Sequence, residues 1–185
     1  MIDEASTLDD VAFAVCTALD HNRIEAILTG GSAAAHYAPI AVQSLDADFV
    51  LRFSVGGGES AALATIGYTR TPGRFYAHPR SPCTVEFPVG PLAIGTELVQ
   101  EWSTERRDEE ALHVLPPTDC VRDRFIAYYA WGDLSALASA LHVARATADR
   151  FDERAFVAWA RREATANIGY DIARLDLFLA RLRLP

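Results

Sequence analysis

The segment from Ser44 to Phe53 alternates apolar and polar side chains, which is typical of a β-strand with one buried face. Five odd-numbered positions are apolar and are expected to face the core: Leu45, Ala47, Phe49, Leu51 and Phe53. The even-numbered positions carry Asp46, Asp48 and Arg52. Side chains two residues apart on a strand point to the same face, so the two carboxylates lie side by side. The pattern predicts a divalent-cation site on a rigid strand.

Length and composition are those of an ordinary globular protein. The chain has 185 residues, half of them apolar, so it can bury a core without disulfides or structural metals. Its three cysteines lie far apart and form no Cys-x-x-Cys pair, which disfavours a disulfide framework and a structural zinc site. The acidic N-terminus lacks an apolar stretch, and no apolar run is long enough to span a bilayer. We therefore expect a soluble, cytoplasmic protein.

The charge distribution is uneven. With 25 acidic and 17 basic residues the net charge is −8, which disfavours a general nucleic-acid coat. Every basic residue is arginine, so mechanisms that need a lysine nucleophile or a P-loop lysine are excluded. The stretch from Ser60 to Val85 contains no acidic residue, but it does contain Arg70, Arg74, His78 and Arg80. This locally positive stretch is either a substrate contact or an exposed hairpin.

The order of predicted elements indicates an α+β fold. Thr7 and Asp10 form a capping-box pattern before a helix that ends near residue 21. The next expected elements are a strand at 24–28, a helix from Ser32 to Pro39, the strand at 45–53, a helix at 59–66, and strands near 75–76 and 83–87. Beyond about residue 115 only helical patterns remain. We expect an α/β domain over residues 1–110 and a helical domain over 111–185, joined through an exposed charged stretch that begins at Glu105.

Several motifs together resemble a known superfamily. A Gly30-Gly31-Ser32 turn opens a helix, Asp46 and Asp48 lie on the next strand, and Val85-Glu86-Phe87 lies on a later one. The helical part adds the segment from Pro117 to Arg124. This set resembles the nucleotidyltransferase superfamily with a polymerase-β-like palm, and within it the small bacterial nucleotidyltransferases related to abortive-infection (AbiEii-type) toxins. The resemblance covers most of the first 130 residues.

The resemblance implies a metal-dependent site. Asp46, Asp48 and Glu86 would hold Mg²⁺ or Mn²⁺, because these cations prefer oxygen ligands. Glu86 could also accept the proton of an attacking hydroxyl. The third acid of the superfamily is more often aspartate, so the longer Glu86 is a departure that puts the second metal, and turnover itself, in question.

A second group of residues would hold the nucleoside triphosphate. Backbone N–H groups of the Gly30-Gly31-Ser32 turn, with the Ser32 hydroxyl, would cradle its phosphates. Arg124 stands where the related toxins usually have lysine, and it is a candidate phosphate contact together with Arg74.

Three functions remain open at this level. The first is transfer of a nucleotide from a nucleoside triphosphate to a hydroxyl of RNA, a protein or a small molecule, which in a toxin–antitoxin system would imply an antitoxin partner. The second is a binding module that keeps the palm fold without turnover. The third is a drug-modifying nucleotidyltransferase whose helical part lines a small acceptor pocket.

Overall fold

The computed structural model describes residues 2–53, 56–73, 75–167 and 169–184. Its helices are α1 (Leu8–His21), α2 (Gly30–Tyr37), α3 (Gly58–Ala64), α4 (Pro117–Trp131), α5 (Leu134–Ala146), α6 (Glu153–Ala166) and α7 (Ile172–Leu182). Its strands are β1 (Ala26–Leu28), β2 (Asp46–Leu51), β3 (Thr69–Arg70), β4 (Phe75–Ala77), β5 (Thr84–Glu86), β6 (Ala93–Ile94), β7 (Glu97–Leu98), β8 (Ser103–Arg107) and β9 (Glu110–Val114).

One mixed sheet organises the first part of the chain. Its strand order is β3-β4-β5-β2-β1-β9-β8, and β6 and β7 form a separate hairpin. β2 pairs antiparallel with β1 and parallel with β5. β1 in turn pairs parallel with β9. β2 is therefore an interior strand, paired along both edges, and is a rigid place for functional side chains.

Helices cover the apolar face of this sheet. α1 begins at the expected capping box, in which Thr7 and Asp10 bond each other's backbone N–H groups. Its apolar stripe, which includes Val15 and Leu19, is fully buried, and the helix packs on β1, β2 and β9. Burying each such aliphatic side chain stabilises the fold by about 1.5–3 kcal/mol, which fixes the sheet against the helix.

The second part of the chain is a helical bundle around α4. Phe125 of α4 lies within 4.8–6.4 Å, between ring centroids, of Tyr129, Phe156, Trp159 and Phe178. Aromatic rings bury large apolar areas, so this cluster holds α6 and α7 against α4. α4 also contacts α2. The bundle is thereby attached to the helix that begins at the glycine turn.

Two local expectations need correction. The charged stretch that begins at Glu105 is not a linker: it forms β8 and β9, which pair across a turn at Asp108, and the sheet continues to Val114. The local sequence pattern did not indicate strands here, because it does not show the partners of the charged side chains. Arg107 forms ion pairs with Asp10 of α1 and with Glu110 of the same hairpin. The change from strands to helices falls between Val114 and Pro117. The division into two domains at residue 110 stays a prediction.

The ends of the central strand also differ from the expectation. Leu45 and Phe53 lie beyond β2 and are 60% and 67% exposed, whereas Ala47 and Phe49 are fully buried as expected. Alternation marks a strand correctly but does not set its ends. Among the described residues, no helix combines the length and the apolar character that crossing a membrane requires.

Candidate active site

The three acidic residues singled out by the sequence lie on one face of the sheet. In the parallel pairing of β2 with β5, Asp46 is opposite Thr84 and Asp48 is opposite Glu86. The intervening pair, Ala47 and Val85, is fully buried and faces the core. Because side chains alternate along both strands, Asp46, Asp48 and Glu86 project from the opposite, open face. Neighbouring strands are about 4.8 Å apart, so Asp48 and Glu86 are immediate neighbours.

Asp46 has a partner that sequence reasoning missed. The hydroxyl of Thr84 donates a short hydrogen bond to Oδ1 of Asp46 across the strand pair. This bond occupies one carboxylate oxygen of an otherwise exposed residue. The only sequence signal was that Thr84 lies two residues before Glu86, so the two share a face of β5.

The glycine turn packs directly against Asp48. Gly30 has φ = +67°, in the left-handed region that favours glycine, and a Cβ added there would lie 2.8 Å from Oδ2 of Asp48. A Cβ added to Gly31 would meet no atom within 4 Å. The first N–H groups of a helix have no partner within the helix, so the N-terminus of α2 offers backbone donors beside Asp48 with open space above Gly31.

Ser32 has a different contact from the one expected. It is fully buried, its hydroxyl donates to the carbonyl of Thr29 at 2.7 Å, and the same oxygen accepts the backbone N–H of Asp48 at 3.0 Å. The hydroxyl proton is therefore used within the fold, and Ser32 connects the turn to β2. In this arrangement the backbone N–H groups are the donors that the turn presents to a ligand.

Electrostatics at Asp48 reflect the crowding of negative charge. Burial, then the charges of Glu86 and Asp46, and to a smaller extent that of Asp123, raise the pKa of Asp48 from 3.8 to about 6, while Arg124 opposes the shift. Asp123 and Arg124 lie on α4, so the helical bundle contributes charges to the carboxylate face. Arg124 donates two hydrogen bonds to the carboxylate of Asp123, at 2.8 Å and 3.0 Å, so the two charges form an ion pair on α4.

The structure describes one of the two arginines that were predicted to contact phosphate. The charge of Arg124 lowers the pKa of Asp48, against the larger effects that raise it, and the Arg124 side chain is partly exposed. Arg74, the other candidate for phosphate binding, lies outside the described residues. Both phosphate contacts stay predictions.

The side chains present fit a hard divalent cation in their chemistry. Carboxylate oxygens are preferred ligands of Mg²⁺ and Mn²⁺, and a positive ion would relieve the mutual repulsion that raises the pKa of Asp48. Within the described residues, no three His, Cys, Asp or Glu side chains are already gathered closely enough to hold a metal ion. Binding at Asp46, Asp48 and Glu86 would therefore require side-chain rotation, for which their exposed or half-buried positions leave room.

A cavity of about 470 Å³ borders the site, because Ser32, Leu45 and Cys83 line it and the last two directly precede Asp46 and Thr84 in the chain. It is lined by residues of α1, α2 and the segment that leads into β2, including Asp9 and His36. His36 bonds Asp9 at 2.5 Å and Glu105 at 3.2 Å, and these partners raise its pKa although burial opposes the charge. None of the predicted ligands of a metal lines this cavity. The carboxylate face has the better chemistry for catalysis.

Comparison with known proteins supports the fold. The chain is similar to the antibiotic-resistance factor ANT(2'')-Ia, with a TM-score of 0.50 and 13% identity over 83% of this chain and 91% of that one. It is also similar to an antigenic nucleotidyltransferase-like protein from Paracoccidioides brasiliensis, with a TM-score of 0.54 and 14% identity over 80% of this chain and 88% of that one. No protein-family model and no curated protein matches the chain.

These likenesses confirm the expected fold class, an α+β fold with a polymerase-β-like nucleotidyltransferase palm. At such low identity they establish the fold and leave the activity to the site. The particular likeness to AbiEii-type toxins has no support from them.

Proposed function

We propose that this protein is a metal-dependent nucleotidyltransferase that moves a nucleotide from a nucleoside triphosphate to an acceptor hydroxyl. The observation that carries the proposal is the register of β2 and β5, which puts Asp48 beside Glu86 with Asp46 on the same face. The glycine turn against Asp48 supplies backbone donors for phosphate at the same place. Three carboxylates beside a phosphate-binding turn are the parts that transfer at phosphorus requires.

Each group has a defined task in this proposal. Bound Mg²⁺ or Mn²⁺, held by Asp46, Asp48 and Glu86, would neutralise the negative charge that develops on the phosphates. The N–H groups at Gly30 and Gly31 would hold the departing phosphates. In the transfer, the acceptor oxygen forms a bond to the α-phosphorus, and the bond from that phosphorus to the pyrophosphate oxygen breaks. A carboxylate at the position of Glu86 would take the proton of the acceptor hydroxyl.

The acceptor is RNA, a protein or a small molecule. A role as the toxin of a toxin–antitoxin pair would correspond to an RNA acceptor. One observation favours a small acceptor: a structure with the same fold is an antibiotic-resistance factor. Another favours a binding module without turnover, since the carboxylates of the described residues are not gathered into a metal site. Both alternatives keep the nucleotide at the glycine turn, and they differ in whether a transfer step takes place after binding.

Transfer of label tests the proposal. The protein is incubated with each of the four α-labelled nucleoside triphosphates, Mg²⁺ or Mn²⁺, and total RNA, protein extract or a mixture of antibiotics in separate reactions. We expect label on one acceptor class. Asp46→Ala should abolish this labelling because it removes a proposed metal ligand, and the fold should be kept because Asp46 is exposed. Asp149→Ala, a change at another exposed acid, is the matched control. Equal transfer by wild type and Asp46→Ala would refute the assignment, and absence of transfer with nucleotide binding retained would favour the module.

A further inference from the structure

Asp46 is the most exposed of the three carboxylates proposed to hold the metal. It is the first residue of β2 and is exposed, whereas Asp48 and Glu86 are half-buried. Its backbone is anchored, because the Ser44 hydroxyl donates to the Asp46 carbonyl at 3.0 Å and accepts the Asp46 N–H at 3.2 Å. An exposed side chain samples several rotamers in water, and ordering it costs conformational entropy. A metal ligand at this position therefore needs a group that holds its side chain.

Thr84 is placed to be that group. It lies directly opposite Asp46 in the parallel pairing of β2 with β5, and its backbone N–H donates to the carbonyl of Leu45 at 2.8 Å. The Thr84 side chain is half-buried, and branching at Cβ restricts it to few rotamers. Its hydroxyl donates a hydrogen bond to Oδ1 of Asp46. The strand pairing thus holds the donor, and the donor contacts the more mobile carboxylate.

The bond leaves part of the carboxylate for a cation. The hydroxyl takes Oδ1 of Asp46, and the second oxygen, Oδ2, is the atom that would ligate a metal ion. Carboxylates that bind metals are commonly held by an outer hydrogen-bond donor in this way, which orients them and raises their affinity. The donor is also neutral. A cationic side chain in its place would repel the metal ion, whereas a hydroxyl adds no charge to the carboxylate face.

The strand β5 brings the ligand and the donor together. Thr84 and Glu86 are two residues apart, so both project from the open face of β5. One short strand therefore supplies one proposed metal ligand directly and contacts a second, Asp46, through the Thr84 hydroxyl. A shift of β5 relative to β2 would disturb both ligands at once.

We propose that Thr84 is a positioning residue of the metal site: its hydroxyl holds Oδ1 of Asp46 so that Oδ2 faces the cation. Asp46 is then the fixed member of the three carboxylates, and Asp48 and Glu86 turn toward it when the cation binds. This inference rests on the proposed function, which it deepens by adding a residue that acts through a metal ligand. Thr84 itself takes no part in the bonds that form and break.

Binding of Mn²⁺ alone to Thr84 variants tests the inference. Free Mn²⁺ is measured by electron paramagnetic resonance without nucleotide, and circular dichroism checks that each variant is folded. Thr84→Val keeps the shape of the side chain and loses the hydroxyl. We expect it to weaken Mn²⁺ binding roughly 10- to 100-fold, the range for loss of an outer hydrogen-bond partner of a metal ligand. Thr84→Ser keeps the hydroxyl and should bind as wild type does, and Thr84→Ala compared with Thr84→Ser repeats the contrast without valine.

Thr104→Val is the matched control. Thr104 is exposed on β8, three strands from β2, and its hydroxyl shares a 2.9 Å hydrogen bond with its cross-strand partner His113. The change therefore removes the same kind of contact far from the carboxylates. Mn²⁺ binding by Thr104→Val should equal that of wild type.

Every other result overturns the inference. Unchanged binding by Thr84→Val would mean that the hydroxyl has no part in the metal site, and tighter binding would mean that it competes with the cation. Equal loss in Thr84→Val and Thr84→Ser would assign the effect to packing, and a wild type that binds no Mn²⁺ would remove the site. Failure of the proposed function is seen separately in the transfer assay: labelled transfer can persist while Thr84→Val binds normally, and transfer can be absent while Thr84→Val weakens Mn²⁺ binding.

Discussion

Replacing Gly30 with alanine tests the geometry of the candidate site through stability. Gly30 has φ = +67°, a conformation that costs an L-residue about 1–2 kcal/mol. The new Cβ would also lie 2.8 Å from Oδ2 of Asp48, and relieving this overlap costs about 1 kcal/mol more. We therefore expect Gly30→Ala to lower the free energy of unfolding by about 2–3 kcal/mol, or the melting temperature by roughly 5–10 °C for a chain of this size.

The neighbouring glycine provides the control. A Cβ at Gly31 meets no atom within 4 Å, so Gly31→Ala should not destabilise the fold and should raise the free energy of unfolding by about 0.4–1 kcal/mol. Urea unfolding monitored by circular dichroism measures both variants. In an Asp48→Ala background the overlap disappears while the backbone strain stays, so the cost of Gly30→Ala should fall by about 1 kcal/mol. Equal effects at the two glycines, or full additivity with Asp48→Ala, would refute the placement of the turn against this carboxylate.

Three further predictions concern polar side chains that are partly or fully buried. Because the pKa of Asp48 is raised, its ionisation destabilises the fold as pH rises from about 4 to 6. Without divalent cations, Asp48→Asn should therefore raise the free energy of unfolding by about 1–2 kcal/mol at pH 7, after allowance for solvent screening, and leave it unchanged at pH 3.5. Asp9 and Glu105 raise the pKa of His36, so the stabilisation from protonated His36 is fully present below pH 6.5 and is lost as pH rises through the higher pKa of the folded state. His36→Gln should reduce this pH dependence of the free energy of unfolding, measured by urea titration at several pH values. An unchanged pH dependence would contradict the prediction. Glu163 is 1% exposed and accepts a backbone N–H and a hydroxyl, so Glu163→Ala should cost about 2–3 kcal/mol of unfolding free energy, and a loss below about 0.5 kcal/mol would contradict its role.

Local patterns in the sequence were enough to predict much of the fold. The capping box before α1, the alternation in β2 and the glycines at the start of α2 are each signals contained in a few residues, and all three elements form, although β2 is shorter than expected and α2 begins two residues earlier. The helical character after residue 115 is likewise local. The last helix, α7, follows Asp171, whose side chain accepts the backbone N–H of Ala173 and caps it.

Other elements could not be predicted because their cause is distant in the chain. β3, β6 and β7 have two residues each and carry no periodicity of their own. β9 pairs in parallel with β1 across more than eighty residues, a contact that no window of the sequence contains. Pairing of β2 with β5 decides whether Glu86 joins the aspartates, and the sequence left that open.

The candidate site was predictable in its residues and less so in its contacts. The bond from Thr84 to Asp46 and the burial of the Ser32 hydroxyl result from the strand register and the packing of α2. The effect of the Arg124 charge on the pKa of Asp48 depends on the placement of α4, which packs on α2. These are tertiary effects, and residue types alone did not reveal them.

Binding of Mn²⁺ tests the central claim most directly, because it asks whether the carboxylate face holds a cation beside a triphosphate. Free Mn²⁺ is measured by electron paramagnetic resonance during titration of the protein with a non-hydrolysable ATP analogue present. The account predicts saturable binding by wild type and by Asp149→Asn, and its loss in the Asp46→Asn/Asp48→Asn double variant. Equal binding by the double variant and wild type would contradict it.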